Sequence, residues 1–226
     1  MTAMLHLQIS DARKLIIETG LALAERKLIL GSWGNISMKI EKDCFAITPS
    51  GRSYDQLKPD DIVIVNAEGV KMAGIRTPST ELKMHMALYK ANSEFNVIVH
   101  THSIYACAVA SMRKTIPPFI EDMIQVIGGP IKCAEYAIAG TEELAKNAVI
   151  AIGNNNAALL ANHGAVCCGK NMREALNVAS IVEKSAQIFC ITEQMGGAID
   201  IDAKNAKILR AFYKEHYSKR QAGEEL

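Results

Sequence analysis

A chain of 226 residues, 49% hydrophobic and 22% charged, has the make-up of a soluble globular protein and the length of one large domain. Its net charge of +1, with Lys and Arg spread along the chain and no basic tract or acidic tail, argues against a nucleic-acid partner. No apolar run approaches the roughly 20 residues that span a bilayer, and Met1 to Asp11 lacks the charged start and apolar core of a signal peptide, so no membrane association and a cytoplasmic location are expected.

Ser10-Asp11 reads as a helix start, and apolar spacing at Leu15, Thr19, Ala22, Leu23 and Leu28 carries that helix to about Leu30. Gly31-Ser32-Trp33-Gly34-Asn35 breaks it, either as a plain turn or as a place where the backbone approaches a ligand. Ile36 to Ile40 and Cys44 to Thr48 read as a hairpin, followed by the turn Thr48-Pro49-Ser50-Gly51, whose N–H groups and hydroxyls can face an anion. Ile62 to Val65 is a buried strand, and Asn66 to Gly69 turns into Val70 to Met72. Thr77-Pro78-Ser79-Thr80-Glu81 opens a helix to about Lys90, with Ser79 or Thr80 as its N-cap; a helix start can hold a phosphate.

Val97 to Val99 reads as a buried strand ending in His100 and His102. Strand residues two apart share a face, so both imidazoles can reach one point. Glu81 upstream and His163 downstream, in Asn162-His163-Gly164, are placed to complete a site of three imidazoles and one carboxylate. That set suits Zn²⁺, which takes four N, O or S ligands and keeps one position for catalysis; Mn²⁺, Fe²⁺ and Co²⁺ accept similar ligands. Glu81 and His85, one helical turn apart, form a rival metal pair.

Ile104 to about Ser111 reads as a small-residue helix, ended by Ile116-Pro117-Pro118. Glu121-Asp122-Met123 precedes the glycine turn Gly128-Gly129-Pro130. Thr141 caps a helix to about Ile152, Ala157 to Leu160 is a strand delivering His163, and Val166 to Cys168 is the next. A capping box at Asn171 to Glu174 starts a helix to about Gln194, and a last helix spans roughly Asp202 to His216 before a tail, Ala222 to Leu226, expected to fray. None of the six cysteines forms a C-x-x-C pair, so they read as small buried hydrophobes. Interleaved strands and helices without a linker favour a single mixed domain over residues 1–226, with antiparallel pairing and helices packed on the sheet. With an anion pocket of Asn35, Ser50, Gly51, Ser79 and Thr80, the residue types point to a metal-dependent enzyme acting on a small anionic, oxygenated substrate.

Gly34-Asn35, Thr48-Pro49-Ser50-Gly51, Pro78-Ser79-Thr80-Glu81, His100-Thr101-His102 and Asn162-His163-Gly164 occur in the order and spacing of the class II aldolase/adducin family, which the chain resembles from about Asp11 to Tyr217. The resemblance implies an α/β fold: one three-layer α/β/α domain around a mainly antiparallel central sheet, assembled as a homotetramer with sites at subunit interfaces. It implies zinc on His100, His102 and His163, with Glu81 as fourth ligand and proton-transfer group, and phosphate at Asn35, Ser50, Gly51, Ser79 and Thr80. The implied reaction is reversible cleavage of a fuculose-1-phosphate-like ketose 1-phosphate to dihydroxyacetone phosphate and an aldehyde, through a metal-stabilised enediolate. Counting back from Gly128-Gly129, Asp122 stands where the aldolase branch has a tyrosine that protonates the aldehyde side, so Asp122 is a second catalytic candidate. Related members imply the alternatives: a ribulose-5-phosphate-type 4-epimerase, a methylthioribulose-1-phosphate dehydratase, or an adducin-like binding module without metal. Tyr213 and Tyr217 could close over the site or simply pack between helices.

Overall fold

The computed structural model describes residues 3–221 and 223. Among the described residues, eight strands form one sheet: β1 Asn35–Glu41, β2 Cys44–Ile47, β3 Val63–Val65, β4 Lys71–Ala73, β5 Val97–Thr101, β6 Cys133–Ala134, β7 Ala157–Leu160 and β8 Gly164–Gly169. Their order across the sheet is β4-β3-β2-β1-β5-β8-β7-β6, which puts the histidine-bearing β5 in the interior. The helices are α1 Ala3–Glu25, α2 Leu82–Ala91, α3 Ile104–Ser111, α4 Glu121–Ile127, α5 Glu142–Ile152, α6 Met172–Gln194, α7 Ala203–Phe212 and α8 Ser218–Gln221, with a π-helical turn, Tyr213–Tyr217, joining the last two.

Period-two alternation divides the strand residues between two cores. Ile36, Ala46, Ile64, Val97, Val99 and Cys167 face the core shared with α1, α3, α4 and α6. Phe45, Ile47, Val65, Ile98, Val166 and Cys168 face the other, shared with α2 and α5. The expected three-layer α/β/α domain follows from this division. Strand β5 is apolar on both faces, so hydrophobicity alone does not decide which side His100 takes. Pairing decides it: His100 sits opposite Asn35 of β1 and Val166 of β8, on the α2 side with Ile98. Each fully buried Ile or Val contributes about 1.5–3 kcal/mol, and a one-residue slip would drive an imidazole into the opposite apolar core, so the register is firmly held.

Several expectations need correction. The sheet is mixed: β6 pairs parallel to β7, while the other six strand pairs, the neighbouring β7–β8 pair among them, are antiparallel. The connection β6–α5–β7 is a strand–helix–strand crossover, which a parallel pair requires. Helix α1 already runs from Ala3, buries Ile9, Ala12, Ile16 and Leu23, and leaves the expected Leu15 exposed. It ends at Glu25, because Lys27 takes a φ of +58° and the Leu28 N–H closes onto Leu23 O at 2.9 Å. Helix α2 begins at Leu82 with Glu81 in the cap position; Ser79 Oγ accepts the Glu81 N–H at 3.2 Å, so Ser79 shapes the preceding turn and does not cap the helix. Asp122 lies within α4, a seven-residue helix that ends at Gly128 with φ +112°. Thr141 and Asn171 cap their helices as expected, accepting from the Leu144 and Glu174 N–H groups. The tail expected to fray lies, apart from Gly223, outside the described residues. No helix among those residues is long and apolar enough to cross a membrane.

Candidate metal centre and neighbouring turns

His100 and His102 emerge at the end of β5, and His163 comes from the turn between β7 and β8. Two glycines let these backbones crowd together. A Cβ on Gly164 would lie 2.2 Å from Thr101 O, and one on Gly34, whose φ is +98°, would lie 2.7 Å from His100 O. No larger residue fits either place without moving a strand.

The three imidazoles stand roughly edge to face, with ring centroids 4.6, 4.7 and 4.9 Å apart. One ligand atom from each lies within 4.8 Å of the others. His100 Nδ1–H donates to Ala165 O at 2.9 Å, which fixes the tautomer that leaves Nε2 bare. That Nε2 is 2.8 Å from His102 Nε2.

Glu81, at the head of α2, brings Oε2 to 3.2 Å from His100 Nε2 and Oε1 to 3.5 Å from His163 Nε2. The residue is 5% exposed, and Oε1 is buried with no hydrogen-bond partner. A buried carboxylate with one oxygen unpartnered and the other facing the bare His100 Nε2 is unfavourable unless a cation joins them. The three imidazole nitrogens can hold Zn²⁺ or a similar divalent ion. Burial raises the Glu81 carboxyl, but His100, His163 and the Asn35 amide outweigh it and hold the group below its usual range. Burial lowers His100 to about 4 and pushes His102 down as well, so both are neutral and able to bind metal at pH 7.

The two hydroxyl-bearing turns meet beside this cluster. An isolated bridge pairs Pro49 with Pro78; Ser50 N–H donates to Thr77 O at 3.1 Å, and Ser79 N–H to Thr48 O at 3.0 Å. Ser50, Gly51 and Thr80 are exposed, whereas Ser79 is buried. The fifth anion candidate, Asn35, directs its amide elsewhere: Nδ2 donates to Glu81 Oε2 at 2.8 Å, and Oδ1 accepts from His85 Nε2 at 2.5 Å. His85 is fully buried and faces Asn35 and Ser37, which leaves the rival Glu81/His85 metal pair without its imidazole. Asp122 pairs with Lys184 of α6, a contact that does not involve the imidazole cluster. Tyr213 packs into the core with α4 and α6, and Tyr217 is 45% exposed beside it.

Sequence reasoning missed two long-range partners. Glu183 of α6 caps α3, its two carboxylate oxygens accepting the Tyr105 and Ala106 N–H groups at 2.9 Å each. His85 joins a buried polar chain with Ser37 and Tyr89. No local signal marks Glu183; for His85 the signal was its place one turn from Glu81. A cavity of about 610 Å³ lies at the opposite end of β8 from His163, lined by Phe95, Gly169, Asn171, Arg210 and Tyr213 among others.

A helix-sandwiched sheet that gathers three imidazoles around one point, with a buried carboxylate against two of them, is the arrangement of a metal-dependent enzyme. Residues 14–190 match the family described as Class II Aldolase and Adducin N-terminal domain. The chain belongs to the class II aldolase/adducin family and is a lyase of the aldolase type. It is 38% identical over 185 residues to a 5-deoxy-D-ribulose 1-phosphate aldolase of Bacillus thuringiensis serovar kurstaki, covering 81% of this chain and 86% of that protein. It is 35% identical over 200 residues to an L-fuculose phosphate aldolase of Escherichia coli K12, covering 87% and 92%. A solved L-fuculose 1-phosphate aldolase superposes with a TM-score of 0.87 at 35% identity, over 90% of this chain and 96% of the other.

Proposed function

We propose that the chain cleaves a ketose 1-phosphate, reversibly, to dihydroxyacetone phosphate and an aldehyde. The observation that carries this reading is the meeting of Glu81, His100, His102 and His163 beside two bridged, hydroxyl-bearing turns. The three histidines and Glu81 would hold one Zn²⁺. When bound, that ion supplies Lewis acidity at the ketone and charge balance for the electron pair released as a carbon–carbon bond breaks.

The chain's own residues would do the rest. The Gly51 and Thr80 N–H groups and the Ser50, Ser79 and Thr80 hydroxyls anchor the phosphate, and Asn35 adds the second hydrogen of its Nδ2. The C4 hydroxyl loses its proton, the C3–C4 bond breaks, C4 becomes the aldehyde carbon, and C3 takes a proton. Glu81 Oε1, ionised and without a hydrogen-bond partner, moves the proton at C3. Asp122, reaching the site of a neighbouring copy, serves the aldehyde half. Exposed apolar side chains on segments flanking the site support burial between copies in a homotetramer: Leu30 and Trp33 before β1, and Ile104 at the start of α3.

Incubation of the zinc-loaded protein with L-fuculose 1-phosphate and with 5-deoxyribulose 1-phosphate tests the reading. Release of dihydroxyacetone phosphate from either supports it. An inverted pentulose 5-phosphate from ribulose 5-phosphate, or loss of water from a methylthioribulose 1-phosphate, without any such release, replaces it with an epimerase or a dehydratase.

A further inference from the structure

We propose that His85 is a positioning residue that, through Asn35, fixes the orientation of Glu81. The inference rests on Glu81 being the proton-transfer group. The geometry allows one direction for every proton in a buried chain between β1 and α2. Glu81 Oε2 accepts, so the atom of Asn35 facing it, at 2.8 Å, is the Nδ2 donor. The other end of that amide, Oδ1, can only accept, so His85 Nε2 carries a hydrogen and donates to it. His85 Nδ1 is then bare and accepts the Ser37 hydroxyl at 2.7 Å. Ser37 Oγ in turn accepts the Tyr89 hydroxyl at 2.8 Å.

Tyr89, Ser37, His85, Asn35 and Glu81 thus form a one-way series of donors that ends on the carboxylate. All five residues are buried, with exposures of 8%, 1%, 0%, 7% and 5%. In such surroundings an amide flip would set Asn35 Oδ1 against a carboxylate oxygen, and each bond polarises the next. The series commits Oε2 and leaves Oε1 as the single oxygen of Glu81 without a hydrogen-bond partner. His85 touches neither substrate nor metal in this arrangement; it acts by keeping Asn35 the right way round.

Two measurements test it. In the wild-type protein, ¹⁵N NMR of the imidazoles should find His85 protonated on Nε2 and bare on Nδ1; the opposite tautomer overturns the proposal. The second follows solvent-deuterium exchange into C3 of dihydroxyacetone phosphate, a half-reaction that needs no aldehyde. His85→Phe should keep one zinc per subunit, yet slow exchange by about 10–100-fold, the usual scale for losing a partner that orients a metal-site ligand. His85→Gln, whose amide can donate to Asn35 and accept from Ser37, should recover most of the rate. Wild-type exchange in His85→Phe, or equal loss in both variants with zinc released, overturns the positioning role. Absence of exchange in the zinc-loaded wild type would instead refute the proposed function, and the tautomer measurement would still stand.

Discussion

Metal-free protein should lose stability in mild acid, and His85 should account for a defined part of the loss. Burial lowers this imidazole from 6.5 to about 3. In the unfolded chain His85 takes up a proton as the pH falls below 6.5, whereas the folded chain refuses it until near 3. The unfolded state therefore binds more protons across that window, and stability falls as the pH drops through it. At 1.36 kcal/mol for each unit of pH difference, the penalty reaches about 2 kcal/mol near pH 5 and is almost nil at pH 7. For a chain of this length that is about 4–8 °C in Tm. The assay is thermal or urea unfolding of chelated wild-type protein and His85→Gln between those pH values. Glutamine does not titrate, so the variant should lose about 2 kcal/mol less than wild type over the interval. Parallel pH dependence in the two proteins would refute a neutral, buried His85.

Glu81→Gln should retain zinc while turnover falls by about 10²-fold or more, the scale of losing a general acid–base group; metal analysis and steady-state kinetics check both halves. Gly164→Ala should destabilise the fold by about 1–3 kcal/mol in urea titration, because its Cβ meets Thr101 O at 2.2 Å and forces β8 away from β5. The same shift should weaken zinc binding, since His163 precedes Gly164. Asp122→Asn removes a half-exposed ion pair with Lys184 and should change stability by less than about 1 kcal/mol. If Asp122 serves the aldehyde half, that variant should lose aldol cleavage by about 10²-fold yet keep deuterium exchange into dihydroxyacetone phosphate.

Much of the architecture was legible because the signals were local. The apolar runs of β3, β5 and β7, the caps Thr141 and Asn171, and the period-two placement of His100 and His102 each need only a few neighbouring residues. The rest depended on partners far along the chain. Ser10 looks like a helix start, yet the buried face of α1 continues back through Ile9, which joins the core on that side of the sheet. Helix α4 is too short for periodicity to show, and β6 owes its parallel pairing to the packing of α5. Glu183 gives no sign in sequence that it caps α3, about eighty positions away. Glu81, His100, His102 and His163 could be collected from motif order, but the amide that sets Glu81 toward them, and the imidazole behind that amide, emerge only from the pairing of β1 with β5 and the packing of α2 on β1.

Anomalous diffraction at the zinc edge from crystals of the zinc-loaded protein tests the centre most directly. One peak per subunit, about 2.0–2.2 Å from a nitrogen of each of His100, His102 and His163, is the expected result. A map without that peak, or one with the metal on His85 or the cysteines, would contradict it.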